Sequence, residues 1–201
     1  MKNTVKLTAS LLLVVSALLL SPQAQAQFQA NLTGNYLAST ESGASFSDGQ
    51  WGGGATLRYF VKPNFAIGLN GRYFTSNSSA IIPFDPQSGA ISSIKASANL
   101  LMVTGQAEYF FSQSALRPYA GLEGGLYRSA TKVEISDGYN TFKASDSANK
   151  FGIAPKVGLQ YALSPVVGIN VDAGYHIVFD DGETGKAFLL GAGVYFTFGK
   201  K

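Results

Sequence analysis

Apolar and polar side chains alternate with a period of two through most of this chain. Residues 51–61 place Trp51, Ala55, Leu57, Tyr59 and Val61 on one face, with Thr56 and Arg58 on the other. Residues 65–75 set Phe65, Ile67, Leu69 and Tyr73 against Asn70 and Arg72. Residues 99–111 set Leu101, Val103, Ala107, Tyr109 and Phe111 against Thr104, Gln106 and Glu108. In residues 118–128, Ala120, Leu122, Gly124 and Leu126 oppose Glu123, and in residues 151–161, Phe151, Ile153, Val157, Leu159 and Tyr161 oppose Lys156 and Gln160. Residues 167–179 carry Val167, Ile169, Val171, Ala173, Tyr175, Ile177 and Phe179 opposite Asn170, Asp172 and His176. Two weaker segments, 28–39 and 186–198, complete the series. A period of two is the signature of a strand with two unlike faces. Each segment is about as long as the 9–11 residues a tilted membrane-spanning strand needs.

The connections alternate as well. Residues 62–64, 112–117 and 164–165 are short, whereas 41–50, 76–95, 133–150 and 180–185 are mostly longer and rich in Ser, Gly, Asp and Asn. The order long, short, long, short suits an even number of antiparallel strands with tight turns on one side of a membrane and loops on the other. The pattern therefore predicts an all-β fold, an eight-stranded antiparallel up-and-down transmembrane β-barrel.

Alternation alone is equally compatible with a soluble barrel whose apolar face is its core. The charges and the side-chain sizes decide between the two. Arg58, Arg72, Glu108, Glu123, Lys156 and Asp172 all fall opposite the apolar stripe, one on each of six successive strands. That same face carries many small residues, among them Gly52, Gly54, Gly68, Gly158 and Gly168. An eight-stranded barrel encloses only enough space for side chains to fill, so eight stripes of Tyr, Phe, Leu and Ile cannot all point inward. Bulky residues outside, small and charged ones inside, fit. Shifting every strand by one residue would turn all six charges to lipid, at ~2–4 kcal/mol for each Lys or Arg and somewhat less for each acid. The six sum to zero and lie near mid-strand. Arg72–Glu108, Glu123–Lys156 and Lys156–Asp172 are the pairs expected to meet across adjacent strands. Such a set either fills the lumen and fixes register or acts as a gate whose ion pairs exchange. Aromatics near the segment ends, including Tyr59, Phe60, Phe65, Tyr109, Phe110, Phe111 and Tyr119, suit girdles at the membrane surfaces.

Composition agrees with a lipid-facing β-structure. Charged residues make up 13% of the 201 residues and aromatics 12%, with 23 glycines. The N-terminus has its own organisation: a basic start with Lys2 and Lys6, an apolar run over residues 11–20, and Ala24-Gln25-Ala26. This is the three-part layout of a cleaved signal peptide, and the run is shorter than the ~20 residues of a spanning helix. It divides the chain into a signal segment, residues 1–26, and a barrel domain, residues 27–201.

Catalytic and ligand chemistry finds little support. There is no cysteine, which excludes disulfides and thiolate metal sites. No basic stripe marks a nucleic-acid partner. His176 is the one histidine and reads as an interior or rim polar residue. Asp180-Asp181-Gly182-Glu183 lacks the spaced ligands of a Ca²⁺ loop, and the glycine clusters lack a phosphate-loop Lys-Ser/Thr. No cofactor and no metal are expected.

Three stretches carry a likeness to a known family: Val103-Thr-Gly-Gln-Ala-Glu-Tyr-Phe-Phe111, Arg117-Pro-Tyr-Ala-Gly-Leu-Glu-Gly-Gly-Leu-Tyr127 and the last strand. With them the chain resembles the small outer-membrane barrels of the OmpA-like and OmpX-like kind, over residues 27–201 and without their peptidoglycan-binding domain. Gly193, Phe196 and Phe198 look like the terminal signal read by the barrel-assembly machinery, although Gly199-Lys200-Lys201 follow where the family often ends on the aromatic. The resemblance implies a location in the outer membrane of a Gram-negative bacterium. It also implies contact with outer-membrane lipid and lipopolysaccharide, and handling by periplasmic chaperones and the assembly machinery. The function expected is non-catalytic, a structural or interaction role exerted through extracellular loops. A narrow gated channel for small solutes or ions is the alternative. A lipid A-modifying enzyme is disfavoured, since Val178 stands where the deacylase pattern wants Ser after His176.

Overall fold

The computed structural model describes residues 28–40, 49–82, 92–136, 141–180 and 184–199. The expected signal segment, residues 1–26, lies outside the described residues, as do residue 27, parts of the long connections and residues 200–201. The strands are β1 (Phe28–Ser39), β2 (Gln50–Lys62), β3 (Phe65–Ile82), β4 (Ser92–Phe110), β5 (Leu116–Ser136), β6 (Thr141–Ala162), β7 (Val167–Phe179) and β8 (Thr184–Phe198). Each pairs antiparallel with its sequence neighbours, and β8 pairs with β1 to close the barrel. The predicted fold class is the observed one, an eight-stranded antiparallel barrel.

The register fixes the tilt. One row of partners runs Ala30, Leu57, Leu69, Gly105, Gly124, Ile153, Ile177, Lys186. It returns to β1 at Thr40, whose N–H donates to the Lys186 carbonyl, so the circuit closes ten residues beyond its start. Ten residues at ~3.3 Å, spread over eight strands ~4.8 Å apart, correspond to a tilt of about 40°. Side chains two strands apart that share a height are therefore offset by two or three positions along the register. This offset decides which lumen residues meet.

The parity read from the sequence gives the faces. Leu57, Leu69, Leu101, Val103, Leu122, Leu126, Val157 and Val171 lie on the outside and are exposed, while Arg58, Arg72, Glu108, Glu123 and Lys156 are buried inside. Two expectations, about strand length and about the aromatics, differ from the structure. The stretches 76–95 and 133–150 are not wholly loops. β3 and β4 run on to Ile82 and back from Ser92, and β5 and β6 run to Ser136 and from Thr141. Their backbones stay paired through Ile82↔Ser92 and Ser136↔Thr141. The outward positions of these extensions, among them Asn77, Ser79, Lys95, Ser97, Lys132 and Ser145, are polar, so the apolar outer stripe stops although the ladder continues. The second difference concerns the girdle. Phe60, Phe110 and Tyr119 point inward and are buried, because they share parity with Arg58, Glu108 and Glu123.

Candidate functional site

The lumen is filled in three layers. At the short-turn end Phe60, Ala66, Phe110 and Tyr119 pack together, with ring centroids 5.2 Å apart for Phe60–Phe110 and 5.0 Å for Phe110–Tyr119. Arg117 covers this cluster. Its guanidinium lies 4.6 Å from the Phe110 centroid and 5.0 Å from that of Phe60, and it donates to the carbonyl of Pro63 at 3.2 Å. At the long-strand end Leu37, Phe74, Met102, Tyr127 and Leu189 form a second apolar layer. Next to it is a cavity of about 170 Å³ that Met102, Tyr127 and His176 help to line.

Between these layers lies the charge cluster. Arg58 Nε donates to Glu108 Oε2 at 2.5 Å and Arg58 Nη2 to Oε1 at 3.1 Å. Arg72 makes the same two-pronged contact with Glu123, at 2.7 and 3.0 Å. Two parallel N–H···O bonds match guanidinium to carboxylate and fix both side chains in orientation. Lys156 joins the two pairs, with Nζ 2.6 Å from Glu108 Oε1 and 2.9 Å from Glu123 Oε1. Neutral groups take up further bonding capacity. Asn70 and Thr104 donate to Glu123, Gln106 accepts from Lys156, and Gln29 accepts from both Arg58 and Gln160. A buried charge is tolerated when it is paired and hydrogen-bonded in this way.

Sequence reasoning placed these residues on one face but not with these partners. Of the three expected pairs, Glu123–Lys156 is present. Arg72 meets Glu123 rather than Glu108, and Lys156 turns to the two glutamates rather than to Asp172. The tilt is the cause. In the register Arg72 stands beside Met102, six residues from Glu108, whereas two strands on its row passes through Tyr127, and the stagger toward the short turns brings Glu123, four positions from Tyr127, within reach of the long Arg72 side chain. Arg58 likewise reaches across β3 to Glu108. Asp172 makes no ion pair among the described residues, and its Oδ1 has no hydrogen-bond partner there.

One glycine makes the cluster possible. Gly121 sits in the register between Glu108 and Lys156. A Cβ at Gly121 would come within 2.6 Å of the Ala107 carbonyl oxygen and 2.9 Å of Glu108 Cγ. Gly193, expected as part of an assembly signal, is equally confined: a Cβ there would lie 1.9 Å from the Leu32 carbonyl oxygen. Phe196 and Phe198 follow it on the outer face of β8, with Phe198 exposed. His176 is buried and its Nδ1 is 2.7 Å from Tyr127 Oη. The interior aromatics were missed in the sequence, yet parity marks each of them: Phe60, Phe110 and Tyr127 lie an even number of residues from Arg58, Glu108 and Glu123.

Comparison with known proteins gives the same architecture. Solved structures with this fold include a major outer membrane protein of Thermus thermophilus, with TM-score 0.55 at 14% identity over 86% of this chain and 99% of that one. Neisserial surface protein A gives TM-score 0.51 at 15% identity, covering 87% and 98%. Ail, the attachment invasion locus protein of Yersinia pestis, solved with the heparin analogue sucrose octasulfate, gives TM-score 0.51 at 14% identity, covering 86% and 97%. No curated protein matches the chain. The family described as outer membrane protein beta-barrel domain matches residues 10–196. A closed eight-stranded sheet, an apolar outer wall and a match over nearly the whole length together make this chain a member of the outer-membrane β-barrel family.

Proposed function

We propose that the protein is a closed, non-catalytic barrel of the Gram-negative outer membrane, exported by its N-terminal segment, whose structural or interaction role is exerted by the part beyond the bilayer. The observation that carries this reading is the lumen: Arg58, Glu108, Lys156, Glu123 and Arg72 form one bonded chain across it, between two apolar layers. The short turns face the periplasm, and the long ends of β3–β6 stand outside. β6 has 22 residues, about twice what crossing requires. The barrel is an anchor, and its projecting strands meet envelope or host partners. His176 is engaged by Tyr127, which leaves it a packing role instead of a part in acyl chemistry. Gly193, Phe196 and Phe198 serve assembly, delivered by chaperones and read by the barrel-assembly machinery. Planar-bilayer recording of the refolded chain tests the closed state. Conductance indistinguishable from protein-free bilayers is expected, and steady ion-selective steps would overturn it.

The channel reading has one observation in its favour. Lys156 holds both glutamates, so exchange of its partners could open a path past Asp172, which stands outside the ion pairs. Recording Glu108→Ala distinguishes the two: steps in the variant alone support a gate, and silence in both supports the anchor.

A further inference from the structure

A cavity of about 170 Å³ opens at the outer mouth of the lumen. Leu37, Leu100, Met102, Val178 and Ala187, from β1, β4, β7 and β8, give it an apolar wall. The polar side chains beside it are mostly turned to partners of their own. Tyr127 Oη and His176 Nδ1 lie 2.7 Å apart, with the two rings edge-on and 5.8 Å between centroids. Lys150 is bonded to Asp180, and Ser129 adds one hydroxyl to the lining. The cavity has a floor. Leu37 and Met102 belong to the apolar layer with Phe74 and Leu189, and the ion pairs of Arg58, Glu108, Lys156, Glu123 and Arg72 lie beneath it. Toward the strand tips the inward positions of β4–β6 pass through one mixed row, Ala98, Thr131 and Asp146, and then turn apolar again. Ala96, Val133 and Ala144 form the next row, and Ile135 and Phe142 pair above it. Ile135 is 43% exposed and Phe142 69%, so this inner face stands open to solvent.

We propose that this cavity binds a small uncharged aromatic molecule, a single ring with a short substituent, taken up from the open end of the lumen. Size sets the first limit: an apolar cavity of roughly 150 Å³ takes benzene. Charge sets the second. An ionised ligand would give up its water beside Tyr127, His176 and Lys150, which are already bonded to other groups, and that loss would go uncompensated. The lining favours a ring over an alkane of the same size. Aromatic rings gain from edge contacts with Tyr127 and His176, and the Met102 thioether makes favourable contacts with a ring edge. The floor decides the mode of action. A ligand that enters is held above the ion-paired layer and does not pass to the short-turn end. Such a site gives the barrel a ligand of its own, apart from whatever the projecting strands meet.

The test uses the full refolded chain in lipid nanodiscs, titrated with 4-fluorotoluene and read by fluorine NMR against protein-free nanodiscs. A saturable resonance distinct from that of the lipid-dissolved probe is expected. 4-Fluorobenzoate, the same ring with a charge, should bind about tenfold weaker or more. 1-Fluorohexane should bind about fivefold weaker, for want of the ring contacts. Ala187→Phe and Ser129→Phe fill the cavity from β8 and from β5, and each should weaken binding of 4-fluorotoluene by about tenfold or more. Leu100→Ala widens it and should raise affinity for the two-ring probe 1-fluoronaphthalene by about tenfold. Heat-modifiable migration reports which variants have formed the barrel, and either filled variant that has formed it decides the matter. Four results would each overturn the site: no saturable signal beyond that of protein-free nanodiscs, equal binding of 4-fluorobenzoate, full affinity in a folded filled variant, or no gain in a folded Leu100→Ala variant.

Discussion

Replacing Glu123 by Leu removes the carboxylate that accepts the largest number of lumen hydrogen bonds among the described residues. Glu123 receives two bonds from Arg72 at 2.7 and 3.0 Å, one from Lys156 at 2.9 Å, and others from Asn70 and Thr104. Lys156 keeps Glu108 in the variant, at 2.6 Å. Arg72 keeps no carboxylate among the described residues. The cost is therefore that of one buried, uncompensated guanidinium, ~3–5 kcal/mol. Removing the charge together with its partner avoids that penalty. Arg72→Met with Glu123→Leu leaves the lumen neutral, so the double variant should recover about 2 kcal/mol or more relative to the sum of the single changes. Urea unfolding of refolded protein in lipid vesicles, run as a double-mutant cycle, measures both quantities. A loss below about 1 kcal/mol for Glu123→Leu is the value of an exposed pair, and it would refute the enclosure of this carboxylate.

Three further outcomes follow from single positions. Gly121→Val forces a side chain against the Ala107 carbonyl and Glu108 Cγ, so the variant should lose ~1–3 kcal/mol in the same unfolding assay, and an unchanged midpoint would mean that β5 has slack the structure does not show. Arg117→Ala uncovers the Phe60–Phe110 rings and should lower stability by ~1 kcal/mol, while bilayer recordings stay silent because the charged layer above is intact. Glu134 has its pKa held below the ordinary 4.5 by the hydrogen bond and charge of Lys143, so its contribution is fully present above that value and is lost as pH falls through the depressed one. Urea midpoints of the unaltered and Glu134→Gln proteins should differ by a constant amount above about pH 4.5 and converge below it; a difference that grows on acidification would contradict the pairing with Lys143.

Strand faces were legible because lipid imposes a chemical contrast on alternate residues. Leu57 beside Arg58, or Leu122 beside Glu123, leaves no doubt about which side is which. Where the wall leaves the bilayer the contrast ends. Asn77, Ser97, Lys132 and Ser145 form one continuous row, yet their sequence reads as loop because the outward positions there are polar and the apolar stripe that marks each strand is gone. The partners of the charges were hidden for a different reason. Placing Arg58 by Glu108 requires the ten-residue stagger of the closed sheet, a property of all eight strands at once that no single segment displays. The interior rings were hidden by their neighbours. Tyr59 and Phe60 are adjacent aromatics, and only strict parity with Arg58 separates the one at the lipid surface from the one that plugs the lumen.

On this reading the apolar wall meets lipid and gives way to water at one register row, between Tyr73–Leu101 and Asn77–Ser97. The chain has no cysteine, so single nitroxide labels can be attached to one introduced thiol at a time. Labels at Leu69, Val103, Leu126 and Val157 should collide freely with dissolved oxygen and scarcely with a water-soluble nickel chelate, while labels at Asn77, Ser97 and Ser145 should show the reverse. Equal access of the chelate to both sets, in protein reconstituted into vesicles, would contradict a lipid-facing wall.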